Sequence, residues 1–311
     1  MSFAPMSKDT RITEAVFKWN TTAVLVLTLL SFVASSCGAA RTNQFKQFSQ
    51  AGTTYTTAVI DLIDASGSTT IDADSLELVE DREHLTTEQR KRIVDHNKEL
   101  RTRLAILGDM KRHAHLLNSY FEVLGALADS NAPSQIGSAA DGVVQALGKI
   151  HPSIQNAKIG EAPVANFVGD VTQIVVAHFK AAALEAELKK RAKTIERELD
   201  LQQAALSALA QQMRVDLQAQ INRQESKDIV LPFVADGPLP GAWSSERRDL
   251  LQSQLSLASV DGAADAARKL KIAFVALAEG RFQLVDVPAL LSDINEIVSL
   301  IEKVEGKQQK Q

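Results

Sequence analysis

Apolar side chains recur every three or four residues along most of this chain, the spacing of amphipathic helices rather than the strict alternation of strands. Residues 41–65 carry Phe45, Phe48, Ala51, Tyr55, Val59, Leu62 and Ile63 in this register, which predicts a first helix. The run Ser66-Gly67-Ser68-Thr69-Thr70 is expected to stop it. Asp72, Asp74 and Ser75 are N-cap candidates for a short segment over 76–83, and Thr86 with Gln89 has capping-box spacing for a fresh start. From 88 to 128 a long stripe follows through Ile93, Leu100, Leu104, Leu107, Leu117, Phe121, Leu124 and Leu127, with Gly108 as a break or a close-packing point. Residues 129–134 read as a turn, and a helix over 134–150 is expected to end at His151-Pro152.

The longest pattern runs over 163–226, with no Pro or Gly after Gly169. Its stripe is Leu188, Ile195, Leu199, Leu206, Leu209, Met213, Leu217 and Ile221, and Glu185–Lys189 and Glu187–Arg191 are i,i+4 pairs that read as an exposed face. Sixty residues of helix would reach roughly 90 Å and cannot bury such a stripe alone. The stripe needs partners from this chain or from a second protomer meeting residues 180–225 in coiled-coil fashion. Residues 231–243, with three Pro and two Gly, read as a loop. C-terminal helices over 244–305 follow: one capped by Ser244-Ser245-Glu246, one opened at Asp261-Gly262 and closed at Gly280, and one opened at Asp286-Val287-Pro288 with Leu291, Ile294, Ile297, Val298, Ile301 and Val304 on its stripe. The only β-like run, residues 229–234, is too short to build a sheet. The pattern predicts an all-α fold, an elongated antiparallel helical bundle with a long helical hairpin.

Composition agrees. Aromatics are 5% of 311 residues and helix formers abound, which argues against a sandwich or barrel. Net charge is −4, and residues 37–311 hold 31 basic and 36 acidic residues, a poor match for a nucleic-acid binder. The single cysteine, Cys37, excludes an intrachain disulfide and a cysteine-rich metal site.

The position of Cys37 changes the picture. Lys8, Arg11 and Lys18 precede an apolar block of 14 residues, 21–34, and Ala34-Ser35-Ser36-Cys37 follows. A basic region, a short apolar region and small residues before a cut site make a secretory signal. The block is shorter than the roughly 20 residues of a spanning helix. Ala34-Ser35-Ser36-Cys37 resembles the lipobox of bacterial lipoproteins, with Ala34 in place of the commoner Leu. The resemblance covers about 40 residues. It implies cleavage between Ser36 and Cys37, so that 1–36 is a signal peptide and 37–311 the mature body, and acylation of Cys37 by a thioether-linked diacylglycerol and an N-acyl chain, enough for stable anchoring. Gly38 in place of an inner-membrane retention Asp implies an outer-membrane lipoprotein facing the periplasm. Two other readings stay open: an uncleaved inner-membrane anchor, since 22 uncharged residues separate Lys18 from Arg41, and an ordinary cleaved signal.

No catalytic signature accompanies this address. Gly142 to Gly148-Lys149 fails as a phosphate loop, with five residues between the Gly residues where four are needed and Ile150 where Ser or Thr is needed. There is no His-Glu-x-x-His and no Gly-x-Ser-x-Gly. His113 and His115, two apart, point to nearly opposite faces of a helix, and each His reads as a surface or boundary residue. A calcium loop starting at Asp64 fails at Thr69 and Ser75. No cofactor is expected. Trp243, among Pro and Gly, is a candidate partner-contact anchor or a staple of its loop onto the bundle. The expectation is a lipid-anchored, non-catalytic structural or interaction module whose partners are the membrane and another envelope protein. A bundle binding a lipid or other apolar ligand is the alternative.

Overall fold

The computed structural model describes the backbone of residues 10–80, 87–129, 135–171, 173–179, 181–253, 255–281, 286, 289–290 and 292–296, and within the first helix the side chains from Thr42 onward. The fold is all-α. Its elements are α1 (Thr10–Glu80), α2 (Thr87–Leu127), α3 (Gln135–Gln155), a two-residue hairpin β1 (Lys158–Ile159) and β2 (Ala162–Pro163), a 3-10 turn (Val164–Phe167), α4 (Ala182–Gln224), a wide π turn (Glu225–Val230), α5 (Leu231–Val234), α6 (Trp243–Ser253) and α7 (Leu255–Ala278).

Cross-links between helices set their directions. Lys46, Thr56, Asp64 and Asp74 of α1 meet Asp129, Asn118, Lys111 and His96 in turn, so α1 and α2 form an antiparallel hairpin along the molecule. Asp200 and Arg214 of α4 meet Lys271 and Asp261, so α4 and α7 are antiparallel. Asp141 and His151 of α3 meet Lys190 and Glu198, so α3 and α4 run parallel. A parallel pair requires the chain to return to the far end before α4 begins, and the segment 168–181 makes that return, its described residues without regular structure.

This return corrects the helix predicted over 163–226. Val168, Val171, Ile174, Val175 and Val176 are β-branched residues that favour extended backbone. Their segment is tied down by Gly169 N donating to Asp200 Oδ2 at 2.6 Å and Ala177 N donating to the Ala278 carbonyl at 2.8 Å. A β-branched run is a quieter signal of extended backbone than Pro or Gly is of a break.

Three predicted breaks are absent. The run 66–70 lies inside α1, where Ser66, Ser68, Thr69, Thr70 and Ser75 each turn the hydroxyl back onto the carbonyl four residues earlier. A side chain that satisfies its polarity within the helix no longer competes with it. The segment expected over 76–83 is therefore the end of α1 as far as Glu80, and Thr86 lies outside the described residues. Asp261-Gly262 lies inside α7, beside buried Ala263, Ala266 and Ala267. His151-Pro152 does not end α3, which continues one turn and buries Ile154. Residues 231–234 are helical rather than loop, which leaves 235–242 as the irregular stretch. Gly280, at φ 74°, closes α7 as expected: Arg281 N reaches back to the Ala276 carbonyl and Gly280 N to that of Leu277.

The core is continuous. Phe45 packs edge-on against Phe179, and Phe48 against Phe121, with ring centroids 5.3 and 5.7 Å apart; Phe274 of α7 lies 6.0 Å from Phe48. The apolar stripe of α4 from Leu188 to Met213 is buried in this core, so this chain supplies its partners. Among the described side chains no helix is long and apolar enough to cross a membrane; the block at 21–34 lies outside them.

Two glycines on the hairpin separate close packing from simple helix propensity. A Cβ at Gly52 would stand 2.6 Å from the Phe121 ring, whereas one at Gly108 meets nothing within 4 Å. Gly52→Ala should lower stability by about 1–3 kcal/mol through overpacking, and Gly108→Ala should raise it by about 0.5–1 kcal/mol. Urea unfolding of both variants checks this; equal effects would mean that ring contact does not set the α1–α2 spacing.

Candidate functional site

Residues 195–210 of α4 are buried on almost every side, and charged residues are buried with them. Glu198 and His113 are 0% exposed. His113, from α2, directs Nε2 to Glu198 Oε2 at 3.2 Å and Nδ1 to Gln202 Oε1 at 2.7 Å. His151, from α3, directs Nδ1 to the same Glu198 oxygen at 2.9 Å, and Arg197 reaches the other oxygen at 3.2 Å. Burial alone would raise the Glu198 pKa, but the bonds from the two imidazoles more than offset it and bring it down to about 2. One carboxylate thus joins α2, α3 and α4.

Two similar junctions lie along α4. Arg191 is held between Glu187 of its own helix and Asp141 of α3, all beside the buried Tyr120 of α2. Burial raises the Glu187 pKa, with Tyr120 and Lys190 pulling it back. Asp200, 2% exposed, takes Lys271 of α7 on one oxygen and Gly169 N on the other. The Glu198 and Arg191 junctions face α2 and α3 about two turns apart, and Asp200 faces α7 and the return segment.

These findings correct two expectations. His113 is a fully buried junction residue and His151 is nearly so, rather than surface residues; His115 is exposed. Glu187–Arg191 is a buried pair, not part of a solvated face, although Glu185–Lys189 does reach solvent. The signal available in the sequence was the charge-free run Leu201–Met213 following four charged residues at 196–198 and 200. A helix apolar on all sides is a buried helix, and the charges leading into it are then buried too.

The remaining candidates are scattered. The backbone of Ser36 and Cys37 lies within α1. Trp243 opens α6, donates Nε1 to the Ile229 carbonyl at 3.0 Å and stacks on Phe233 with centroids 5.6 Å apart. It packs on a small separate cluster of Ile221, Ile229 and Leu250, which fastens the Pro/Gly loop to the end of α4. Asp64 pairs with Lys111 and Asp74 with His96. Among the described residues no group of three or more His, Cys, Asp or Glu is arranged to hold a metal ion. At the α4 C-terminal end a polar cleft of about 220 Å³ opens between α1, α2 and α4, lined by Asp74, His96, Glu99, Arg103, Asp216 and Arg223. Its charges of both signs make it unlike an apolar ligand cavity.

Comparison with known family models, with curated proteins and with solved structures finds no match to this chain.

The Glu198 junction makes a pH prediction. A carboxylate whose folded pKa is depressed contributes stability that is present above its unfolded value, near 4.5, and is lost as pH falls through about 2. The loss should be on the order of 3 kcal/mol across that window. Glu198→Gln should flatten this part of the stability–pH curve. Glu198→Ala should lower stability at neutral pH by about 3–5 kcal/mol, because it leaves buried imidazole donors unpaired. Denaturant unfolding from pH 7 to 2 measures both, and an unchanged acid limb in Glu198→Gln would rule the junction out as its source.

Proposed function

We propose that this chain is a lipid-anchored protein of the bacterial cell envelope that acts as a non-catalytic structural or protein-interaction module, with Cys37 as its lipid attachment point. The observation that carries the reading is Ala34-Ser35-Ser36-Cys37 behind a short apolar block, eight residues before Phe45 enters the core. At 1.5 Å per residue that tether is only about 12 Å long when helical. A body attached so closely is held against its membrane at one end. α1 then runs about 65 Å from Cys37 to Glu80, which sets the reach of the opposite end.

The use made of the buried polar groups also supports a structural role. Glu198, Asp200 and Arg191 face partners on neighbouring helices rather than an open cavity. Gly38 after the cysteine favours the outer membrane, facing the periplasm.

Intact mass spectrometry of the full chain expressed in a lipoprotein-processing bacterium, beside Cys37→Ala, tests the reading. The expected mature species begins at Cys37 and carries acyl mass, and the variant loses both processing and membrane retention. A chain that still begins at Met1 would make residues 19–40 an uncleaved anchor. A chain cut near Cys37 without lipid would make the protein unanchored and remove the main support for a tethered module.

A further inference from the structure

The far end of the molecule carries an apolar cap that stands exposed among the described residues. The cleft shared by Asp74, His96 and Arg223 shows that the C-terminal end of α4 lies with the loop end of the α1–α2 hairpin, away from Phe45. Beyond α4, residues 229–243 contain one charge, Asp236. Val230, Leu231, Phe233, Val234, Leu239 and Leu251 are 44–68% exposed on the π turn, α5, the loop and α6. Residues 230, 231, 233 and 234 have the spacing of one helix face. Phe233 is fixed by its stack on Trp243, whose indole N–H is already taken by the Ile229 carbonyl. The cap is therefore preorganised, and ordering it on association costs little.

We propose that this cap is a self-association surface whose occupant is the cap of a second copy of the chain. Area is the first argument. The six side chains offer on the order of 600 Å², at the upper end of what a monomer leaves exposed in one patch. Two caps face to face would bury about 1,200 Å², the lower edge of specific interfaces. Charge is the second. Between residues 223 and 251, four basic and five acidic residues are interspersed. A two-fold interface brings a surface against itself, so a patch of one sign would repel its copy while a balanced one can pair. The same balance gives an anionic lipid surface nothing to attract. The buried stripe of α4 is unavailable for pairing, so association through this cap leaves the bundle intact. The proposal does not depend on acylation at Cys37. If the chain is anchored, confinement to a membrane raises the effective concentration of a weak contact.

The test uses the full chain in its membrane, with a photo-crosslinking phenylalanine analogue at Phe233 and a control at Lys149 on α3. Two differently tagged copies are co-expressed. The expected result is an adduct at twice the chain mass containing both tags from position 233 and none from 149. Leu231→Asp and Val234→Asp, which leave both residues of the stacked ring pair in place, should each cut that adduct at least tenfold. Their helicity and thermal midpoint should match the parent chain. Adducts only with lipid or with another protein would overturn the proposal, as would a two-tag adduct that persists in both Asp variants.

Discussion

The structure depends on the burial of α4 on nearly all sides. A helix with one apolar stripe needs one neighbour surface; a helix enclosed along 195–210 needs neighbours all round, and each polar group it takes inside needs a partner. Glu198 answers that need by reaching α2 and α3, Arg191 by reaching α3 about two turns away, and Asp200 by reaching α7. An apolar surface tolerates sliding by a turn, whereas a carboxylate that must meet His113 and His151 together does not. The buried polar groups thus fix the register of α2, α3 and α7 against α4, the best-attested use of such groups. Apolar area supplies the drive to collapse, and these junctions select one arrangement from the many that a set of Ala- and Leu-rich helices could adopt.

The return segment 168–181 follows from the same constraint. α3 must run parallel to α4 for His151 and Asp141 to meet Glu198 and Lys190–Arg191 in order. A parallel neighbour demands a long connection, and an extended chain covers the distance in about half the residues a helix would use. Asp200 holds this strap and α7 with the two oxygens of one side chain, so strap and α7 are set against α4 at a single point.

The fold class and most helix cores were legible because a 3.6-residue stripe is a strong, local signal. Phe45 to Ile63, Leu104 to Leu127 and Leu188 to Met213 all lie where their spacing put them. Boundaries were less legible. Ser66 to Thr70 looked like a stop because hydroxyl-rich runs usually solvate turns, and only the structure shows their hydroxyls returned to α1. The junction residues were legible least of all. His113 and Glu198 stand 85 positions apart, and no local pattern distinguishes a buried charge from a solvated one on a helix that carries both. Trp243 was legible only as an anchor for a partner or a staple of its loop; its bond to the Ile229 carbonyl and its stack on the exposed Phe233 ring are contacts that periodicity alone does not reveal.

The ring cluster at the opposite end has a kinetic consequence. Phe48 of α1 rests on Phe121 and on Phe274, and the second of these partners is 226 positions further along. A contact so distant in sequence forms only after most of the chain has been closed into a loop, and that closure carries an entropic cost. During synthesis from the N-terminus, the hairpin of α1 and α2 exists long before α7 arrives to complete the layer around Phe45 and Phe48. For that interval some of the largest apolar side chains in the protein have only part of their packing, and the nascent chain is at its most prone to sticking to itself. The last quarter of the sequence is what ends this exposure. Truncations within α7 should therefore lead to aggregation rather than to a smaller stable bundle.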